Sequence, residues 1–325
     1  MFDKIQSAPM EGVTRSVFRA AHWAQFSGVD TYFTPFLAPT ADEMFSEKEI
    51  REVRPAVNGG APTVPQLLTA RPEHFLWAAK DMQALGYTQI DLNLGCPSGT
   101  VVAKHKGSGM LADPEVLDRF FDAVFEGLAG QNLLISAKTR IGLEDKEHWP
   151  ALVSVFNRYP ICQLTVHPRL RRQFYKGKPD LEAFSLALEQ VKLPVCYNGD
   201  LFTAEDARCL KDRFPAVERI MLGRGLVANP ALAREIRGGA PLSGEELRQF
   251  HEAVLEGYCA CIQGEVNVLH KMKELWNYWG CLFPEDKKGL KAVYKSRSLA
   301  DYRRTAQAVL TQKPVKNGGF SPDLL

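Results

Sequence analysis

Residues 89–110, QIDLNLGCPSGTVVAKHKGSGM, set the reading of the whole chain. Ile90 and Leu92 alternate with Asp91 and Asn93, the two-residue period of a strand. The strand stops at Gly95-Cys96-Pro97, because proline lacks the backbone donor that a ladder needs. A glycine-spaced loop follows (Gly95, Gly99, Gly107, Gly109) and carries Lys104, His105 and Lys106. A strand ending in a thiol beside a basic loop suits chemistry on an anionic substrate. A free cysteine is more often a small buried hydrophobe, so the other strand ends decide its meaning.

Seven further strand-like segments precede residue 225, which with 89–93 makes eight: 4–8, 31–34, 63–67, 133–138, 162–167, 194–197 and 219–222. Most lead into a helical pattern. Residues 72–85 place Phe75, Leu76, Ala79 and Met82 at helical spacing before Gly86. Asp113 and Thr203 are expected N-caps for helices at 114–127 and 204–214, the first with proline in its opening turn. Strands alternating with helices imply a parallel sheet with right-handed crossovers. Eight such units in roughly 240 residues match a (β/α)8 TIM barrel, an α/β fold of typically about 250 residues. The exception is residues 37–61, a long charged insertion after the second strand.

Near Pro241 the period changes, and from Ser243 the pattern is helical only. Ser243 with Glu246 resembles a capping box; helices are expected at 244–264, 266–279, 285–292 and 298–310. The expected organisation is a catalytic barrel over 1–240, a small all-helical C-terminal domain over 241–312 and a loosely ordered tail over 313–325. Between Lys271 and Phe320 eleven basic residues face four acidic ones, a local +7, with Trp276, Tyr278, Trp279, Tyr294 and Tyr302 interleaved. That mixture suits phosphate contacts and base stacking, or else a solvated face over an aromatic core.

Composition bounds the partners. The 325 residues are 45% hydrophobic and 24% charged with net charge +2, so any nucleic-acid binding must come from local charge. Seven scattered cysteines without zinc-type spacing read as reduced thiols, and no metal site is expected. No apolar run is long enough to cross a bilayer and MFDKIQSAPM has no signal core, so a cytoplasmic protein without a membrane partner is expected. No exposed heptad pattern argues for a coiled-coil dimer, and a monomer is expected.

In a (β/α)8 barrel the active site lies at the C-terminal strand ends. Here those ends are Ala8-Pro9-Met10-Glu11-Gly12, Gln66, Asn93 with Cys96, Lys138 with Arg140, His167 with Arg169, Asn198-Gly199-Asp200 and Gly223-Arg224-Gly225. The last two loops suit a phosphate, glycine permitting close approach and Arg224 adding a charged fork. Amide, lysine, histidine and phosphate loops together could hold a flavin, its ring carbonyls facing Lys138 and Gln66. Cys96, with a reference thiol pKa of about 8.5, is protonated at neutral pH and can act as a general acid toward carbon.

In the order and spacing of these motifs, with the glycine-rich 104–110 and Lys138-Thr139-Arg140, the chain resembles the tRNA-dihydrouridine synthases over nearly its full length. The resemblance implies an FMN enzyme, reduced by NADPH, that passes a hydride to C6 of a uridine flipped out of tRNA. Cys96 then protonates C5. It further implies FMN contacts from Ala8, Pro9, Met10, Gln66, Lys138, His167, Asn198, Gly199, Asp200, Gly223 and Arg224, and a uracil contact from Asn93. Lys104, Arg140 and Arg169 are expected to join Asn93 as substrate contacts, with the helical domain gripping the tRNA. The family's His-Gly-Arg-Thr reads here His167-Pro168-Arg169-Leu170, which alters the backbone and removes a hydroxyl; nearby Arg171, Arg172 and Tyr175 are candidates for extra RNA contacts.

Three other functions use parts of this set. A flavin barrel acting on a free pyrimidine, such as a dihydroorotate or dihydropyrimidine dehydrogenase, would not need the basic C-terminal region. A Schiff-base lyase would use Lys138 on a phosphosugar. An RNA-binding module that has lost catalysis would not need Cys96.

Overall fold

Pro65 explains how the sheet closes. In the computed structural model, which describes residues 2–314 and 320, nine parallel strands form one sheet. They are β1 (Lys4–Ser7), β2 (Thr31–Phe33), β3 (Thr63–Val64), β4 (Gln66–Leu67), β5 (Gln89–Leu94), β6 (Leu134–Thr139), β7 (Gln163–Val166), β8 (Val195–Tyr197) and β9 (Arg219–Leu222). Their order is β3-β2-β1-β9-β8-β7-β6-β5-β4, so β3 and β4 are its two ends. Yet only Pro65 separates them in sequence. Pro65 has no N–H to donate, but its carbonyl accepts from Asp91 N at 2.9 Å, so the chain passes here from the ladder with β2 to the ladder with β5. The expected strand 63–67 is thus one barrel position in two halves, and the sheet is a closed (β/α)8 barrel.

The helices begin where their caps dictate. Asp113 accepts from Glu115 N ahead of Pro114–Gly127, and Thr203 and Ser243 each form a capping box. The expected helix at 285–292 instead runs Lys287–Lys295, because the Asp286 carboxylate caps Gly289 N at 2.8 Å. The insertion at 37–61 folds into the helix Glu47–Val53 and a 3-10 turn, Pro55–Asn58. Apart from Lys313, Pro314 and Phe320, the expected tail 313–325 lies outside the described residues.

The helices from Gly244 to Leu310 enclose a second core that is shared with the barrel. Phe250, Trp276, Trp279 and Tyr302 pack there with Val13, Phe18 and Phe26. Trp276, Trp279 and Tyr302 are fully buried, which assigns them to packing and leaves Tyr294, 40% exposed, and the partly buried Tyr278 as the open rings of the interleaved set. The local charge excess is also smaller in space than in sequence. Arg303 pairs with Glu252 and Glu256 of the helix Gly244–Cys261, Arg304 with Asp301 and Lys271 with Glu274. Lys287, Lys288, Lys291, Lys295 and Arg297 stay at least partly exposed.

Tyr302 is the polar hub of this core. Its hydroxyl accepts from Trp276 Nε1 at 2.8 Å and lies 2.7 Å from His251 Nε2. Indole only donates, so the hydroxyl proton goes to His251. Burial keeps that imidazole neutral, its pKa down at about 3. Tyr302→Phe orphans both partners and is expected to destabilise the fold by about 1–3 kcal/mol. A urea unfolding midpoint equal to wild type would contradict this.

Candidate active site

The register of β4, β5 and β6 lines up the polar side chains at the barrel mouth. Gln66 sits beside Asp91, and Asn93 beside Lys138. The result is a directed row of hydrogen bonds. Ser136 Oγ and Gln66 Nε2 donate to the two oxygens of Asp91, each at 2.7 Å. Asn93 Nδ2 donates to Gln66 Oε1 at 2.7 Å, and Asn93 Oδ1 accepts from Gly95 N and Cys96 N at 3.0 and 2.9 Å. A carboxylate only accepts, so Asp91 determines which way Gln66 faces, and Gln66 in turn orients Asn93. The row ends on the turn that carries Cys96.

Burial raises the Asp91 carboxyl to about 6. Burial also pushes the Cys96 thiol above its ordinary range, which keeps it protonated. Cys96 O accepts from Ser108 Oγ at 2.8 Å, fastening the glycine-rich loop to the strand end. Lys138, beside Asn93, makes no side-chain hydrogen bond or ion pair among the described residues, and burial lowers it to about 8. The ammonium is therefore charged at neutral pH and available to a ligand.

At the opposite rim, Arg169 organises the loops after β7 and β8. Its guanidinium pairs with Asp200, donates to Gly177 O and lies 3.1 Å from His167 Nε2. Arginine cannot accept, so His167 Nε2 must, and Nδ1 carries the proton. Burial and the cations Arg140, Lys138, Arg169 and Arg224 hold His167 well below its usual range, hence neutral. Asp200 also pairs with Arg224 at 2.7 Å. Asn198 Nδ2 donates to Met221 O at 2.7 Å, tying the loop after β8 to β9. At Gly225 a Cβ would lie 2.2 Å from Leu201 O, so only glycine lets the two loops approach this closely.

Ala8, Pro9, Met10, Lys138, His167, Asn198, Gly199, Asp200, Gly223 and Arg224 surround one recess. It opens into a cavity of about 1000 Å³ lined by Met10, Asn93, Cys96, Lys138, His167 and Arg224. Gln66 lies beneath this space, fully buried and used by Asp91 and Asn93. Lys104 is exposed, outside the cavity lining.

Of the two arginines expected to touch substrate, Arg140 is 1% exposed and lines the cavity, while Arg169 is 0% exposed and absent from its lining. Arg140 donates to Gly95 O, Leu170 O and Phe174 O, which fixes the segment after β7 across the mouth. Arg171 is partly occupied too, donating to Pro97 O and facing Glu144. This arginine framework answers the altered His167-Pro168-Arg169-Leu170 motif: the arginines grip carbonyls and Asp200, which needs no hydroxyl at position 170.

Several cavity residues lie outside the strand-end set, and of the five that follow only Tyr278 was among the expected aromatic contacts. Pro35 and Phe36 come from the segment leading into the insertion, and Glu274, Tyr278 and Phe320 from beyond the barrel. Tyr175, Phe320 and Phe202 place their rings 4.7, 5.3 and 5.5 Å from the Arg224 guanidinium, so cation–π contacts hold it at the rim. Among the described residues no group of three His, Cys, Asp or Glu could hold a metal, and no helix is long and apolar enough to cross a membrane.

A family model described as Dihydrouridine synthase (Dus) matches residues 6–316. The chain is 28% identical over 291 residues to the tRNA-dihydrouridine(16) synthase of Neisseria meningitidis serogroup B, covering 87% of this chain and 86% of that protein. It is 31% identical over 259 residues to the enzyme of that name from Aquipseudomonas alcaligenes, with 78% and 80% covered. Among solved structures, the old yellow enzyme homologue from Zymomonas mobilis superposes with a TM-score of 0.53 at 13% identity, over 76% of this chain and 92% of that one. At that identity the likeness speaks for the barrel fold alone.

Proposed function

The chain belongs to the dihydrouridine synthase family, and from that premise we propose that it reduces a uridine of tRNA to 5,6-dihydrouridine, with FMN as cofactor and NADPH as reductant. The observation that carries this reading is the pairing of two groups in one cavity: a protonated Cys96 thiol and a charged Lys138 with no internal acceptor. Neither alone is diagnostic. Together they offer an acid for carbon and a cation for a developing anion.

The residues present fit FMN on chemical grounds. The recess offers the Met10 thioether as an apolar wall for a ring and the Lys138 ammonium for an anionic ring edge. Its far end offers the Arg224 fork beside the close-packed glycines of two loops, suited to a phosphate. FMN held by these residues would supply hydride chemistry for C6 of the uracil ring, with NADPH as the proposed source of the electrons.

Everything else falls to the chain. Lys138 compensates negative charge, and burial beside Arg140 leaves it charged below about pH 8. His167 stays neutral and can donate from Nδ1, because Arg169 occupies Nε2. Cys96 holds its proton until C5 requires it, and Asn93 aligns the turn that presents the thiol. Arg140 and Arg169 act as scaffold beneath these groups. The reacting groups lie inside the barrel mouth, out of reach of a stacked base, so the uridine must leave its stack to enter.

Position 16 of tRNA is the site to test first, since the similar proteins from Neisseria and Aquipseudomonas are named for it. Unmodified tRNA incubated with the FMN-loaded protein and NADPH is expected to yield uridine heavier by two hydrogens, mapped by nuclease fragments and mass spectrometry. A protein whose flavin NADPH reduces, but which leaves every tRNA uridine unchanged, would defeat the proposal.

A further inference from the structure

A second depression lies beside the catalytic cavity, with one wall from the insertion and most of its lining from the C-terminal helices. It is an open groove of about 920 Å³. One wall is the helix Glu47–Val53, with Lys48, Arg51 and Glu52; another is the start of the helix Ser16–Gln25, with Arg15. The third runs from the end of the helix Gly244–Cys261 to His270 and Lys271 of the helix Glu265–Trp279.

The insertion is mounted too firmly to be a solvated surface loop. Arg19, fully buried, donates to Asn58 Oδ1, Thr14 O and Glu52 O. The Glu52 carboxylate accepts from Arg15 Nε and Ser16 N, each at 2.7 Å. Arg51 Nη1 reaches 3.0 Å to Cys261 O, so the insertion also grips the helical region. A helix fastened through Arg51 and Glu52 presents Lys48 and Arg51 at a fixed place.

The charge of the groove has one sign. Its single lining carboxylate, Glu52, is matched by Arg15 and backed by Arg19. Lys271 is matched by Glu274 at 2.8 Å. Lys48 and Arg51 meet no carboxylate within 4.0 Å among the described residues, and the field of Lys48 is felt at Glu11, whose carboxyl is nonetheless raised by partial desolvation. The surplus positive charge therefore lies on the insertion.

Groove and cavity adjoin through one clasp. Lys271 lines the groove while its partner Glu274 lines the cavity, and Lys271 Nζ also reaches Gly12 O at 3.2 Å. A polyanion with one residue inserted in the cavity could lay its next phosphates across this clasp. We propose that the groove is a second RNA-binding site, in which Lys48 and Arg51 contact the sugar–phosphate backbone of the tRNA flanking the extruded uridine. This rests on the tRNA reading above and gives the insertion a role.

The test uses the full-length, FMN-loaded protein and fluorescently labelled unmodified tRNA, with affinity measured by anisotropy across a KCl series. The variants are Lys48→Gln/Arg51→Gln and Lys48→Glu/Arg51→Glu; Lys80→Glu/Lys192→Glu changes two other exposed lysines as a control. Two lost phosphate contacts are expected to weaken binding about tenfold and flatten the log–log salt slope by roughly 1.4–1.8 for the glutamine pair. The glutamate pair should bind more weakly still, while the control stays near wild type. Glutamate-pair affinity and slope equal to the control's would overturn the groove. So would unchanged tRNA binding with a raised KM for NADPH in flavin reduction without tRNA, which would give the groove to the reductant. If the wild type itself neither binds nor reduces tRNA, the functional reading fails and takes the groove with it; the groove failing alone leaves wild-type uridine reduction intact.

Discussion

Cys96→Ala is expected to load FMN, accept electrons from NADPH and bind tRNA, yet form dihydrouridine about 10²–10⁴-fold more slowly, the span of a lost general acid. The side chain removed is small and half-buried, and no hydrogen bond of the row depends on its sulfur. Serine should not rescue, because a hydroxyl gives up its proton far less readily than a thiol. The pH profile carries the second half of the argument. Burial raises the Cys96 thiol, so the protonated form persists to higher pH than for a free cysteine. Activity should fall on the basic side in two steps, the first near pH 8 as Lys138 loses its charge and the second above the ordinary thiol range. Only the second should vanish from the residual activity of Cys96→Ala. Single-turnover rates of pre-reduced enzyme with tRNA, read by flavin absorbance, separate this step from flavin reduction. Wild-type rates in the variant would remove Cys96 from the chemistry.

Asn93→Asp changes one terminal group and is expected to lower the rate of uridine reduction about 10²–10³-fold, the usual consequence of losing one aligned donor. The new carboxylate can still accept from Gly95 N and Cys96 N, but its second oxygen meets Gln66 Oε1, formerly 2.7 Å from Asn93 Nδ2. Gln66 cannot flip to relieve this, because its carbonyl would then face Asp91. Nor is the adjacent Lys138 a harmless escape, since pairing with the new carboxylate would take its charge from the ligand. Relief comes from a proton: a carboxylic acid at position 93 can donate to Gln66 as the amide did. The variant should therefore regain activity as pH falls, on a pH–rate curve that wild type does not show. A uniform loss at every pH, with FMN still bound, would mean that the row does not govern the site.

The two experiments probe different links. Cys96 is read at the reacting atom, and Asn93 through the geometry that presents it. Both leave the arginine scaffold untouched, so a failure to fold is not the expected outcome of either.

How much of this was legible beforehand follows the range of the forces involved. Pro97 and Gly86 punctuate the chain through their own backbone chemistry, and Asp113, Thr203 and Ser243 cap helices two or three residues away. Such features need no partner from elsewhere, so the barrel pattern, most element boundaries and the strand-end residues could be read directly. The helix at Lys287–Lys295 was displaced by a cap equally local, Asp286, whose carboxylate was counted as charge instead of as a helix start.

What misled was charge and aromaticity taken from a window. Arg303 finds Glu252 and Glu256 some fifty residues away, and Trp276 and Tyr302 bond to each other inside a core. Distant in sequence as well are the partners that bury Arg140 and Arg169. Their burial was decided by carbonyls and carboxylates on neighbouring loops.

The sequence by itself determined a (β/α)8 barrel, a helical C-terminal region and the set of groups at the barrel mouth, because periodicity, caps and proline act within a few residues. Only the tertiary structure decided which groups face the cavity and which brace it. It also decided that Asp91 orders the amides beneath Cys96, and that the insertion meets the helical region across a cationic groove. Those outcomes depend on contacts between residues tens to hundreds of positions apart, where register and burial, not neighbouring residues, choose the partner.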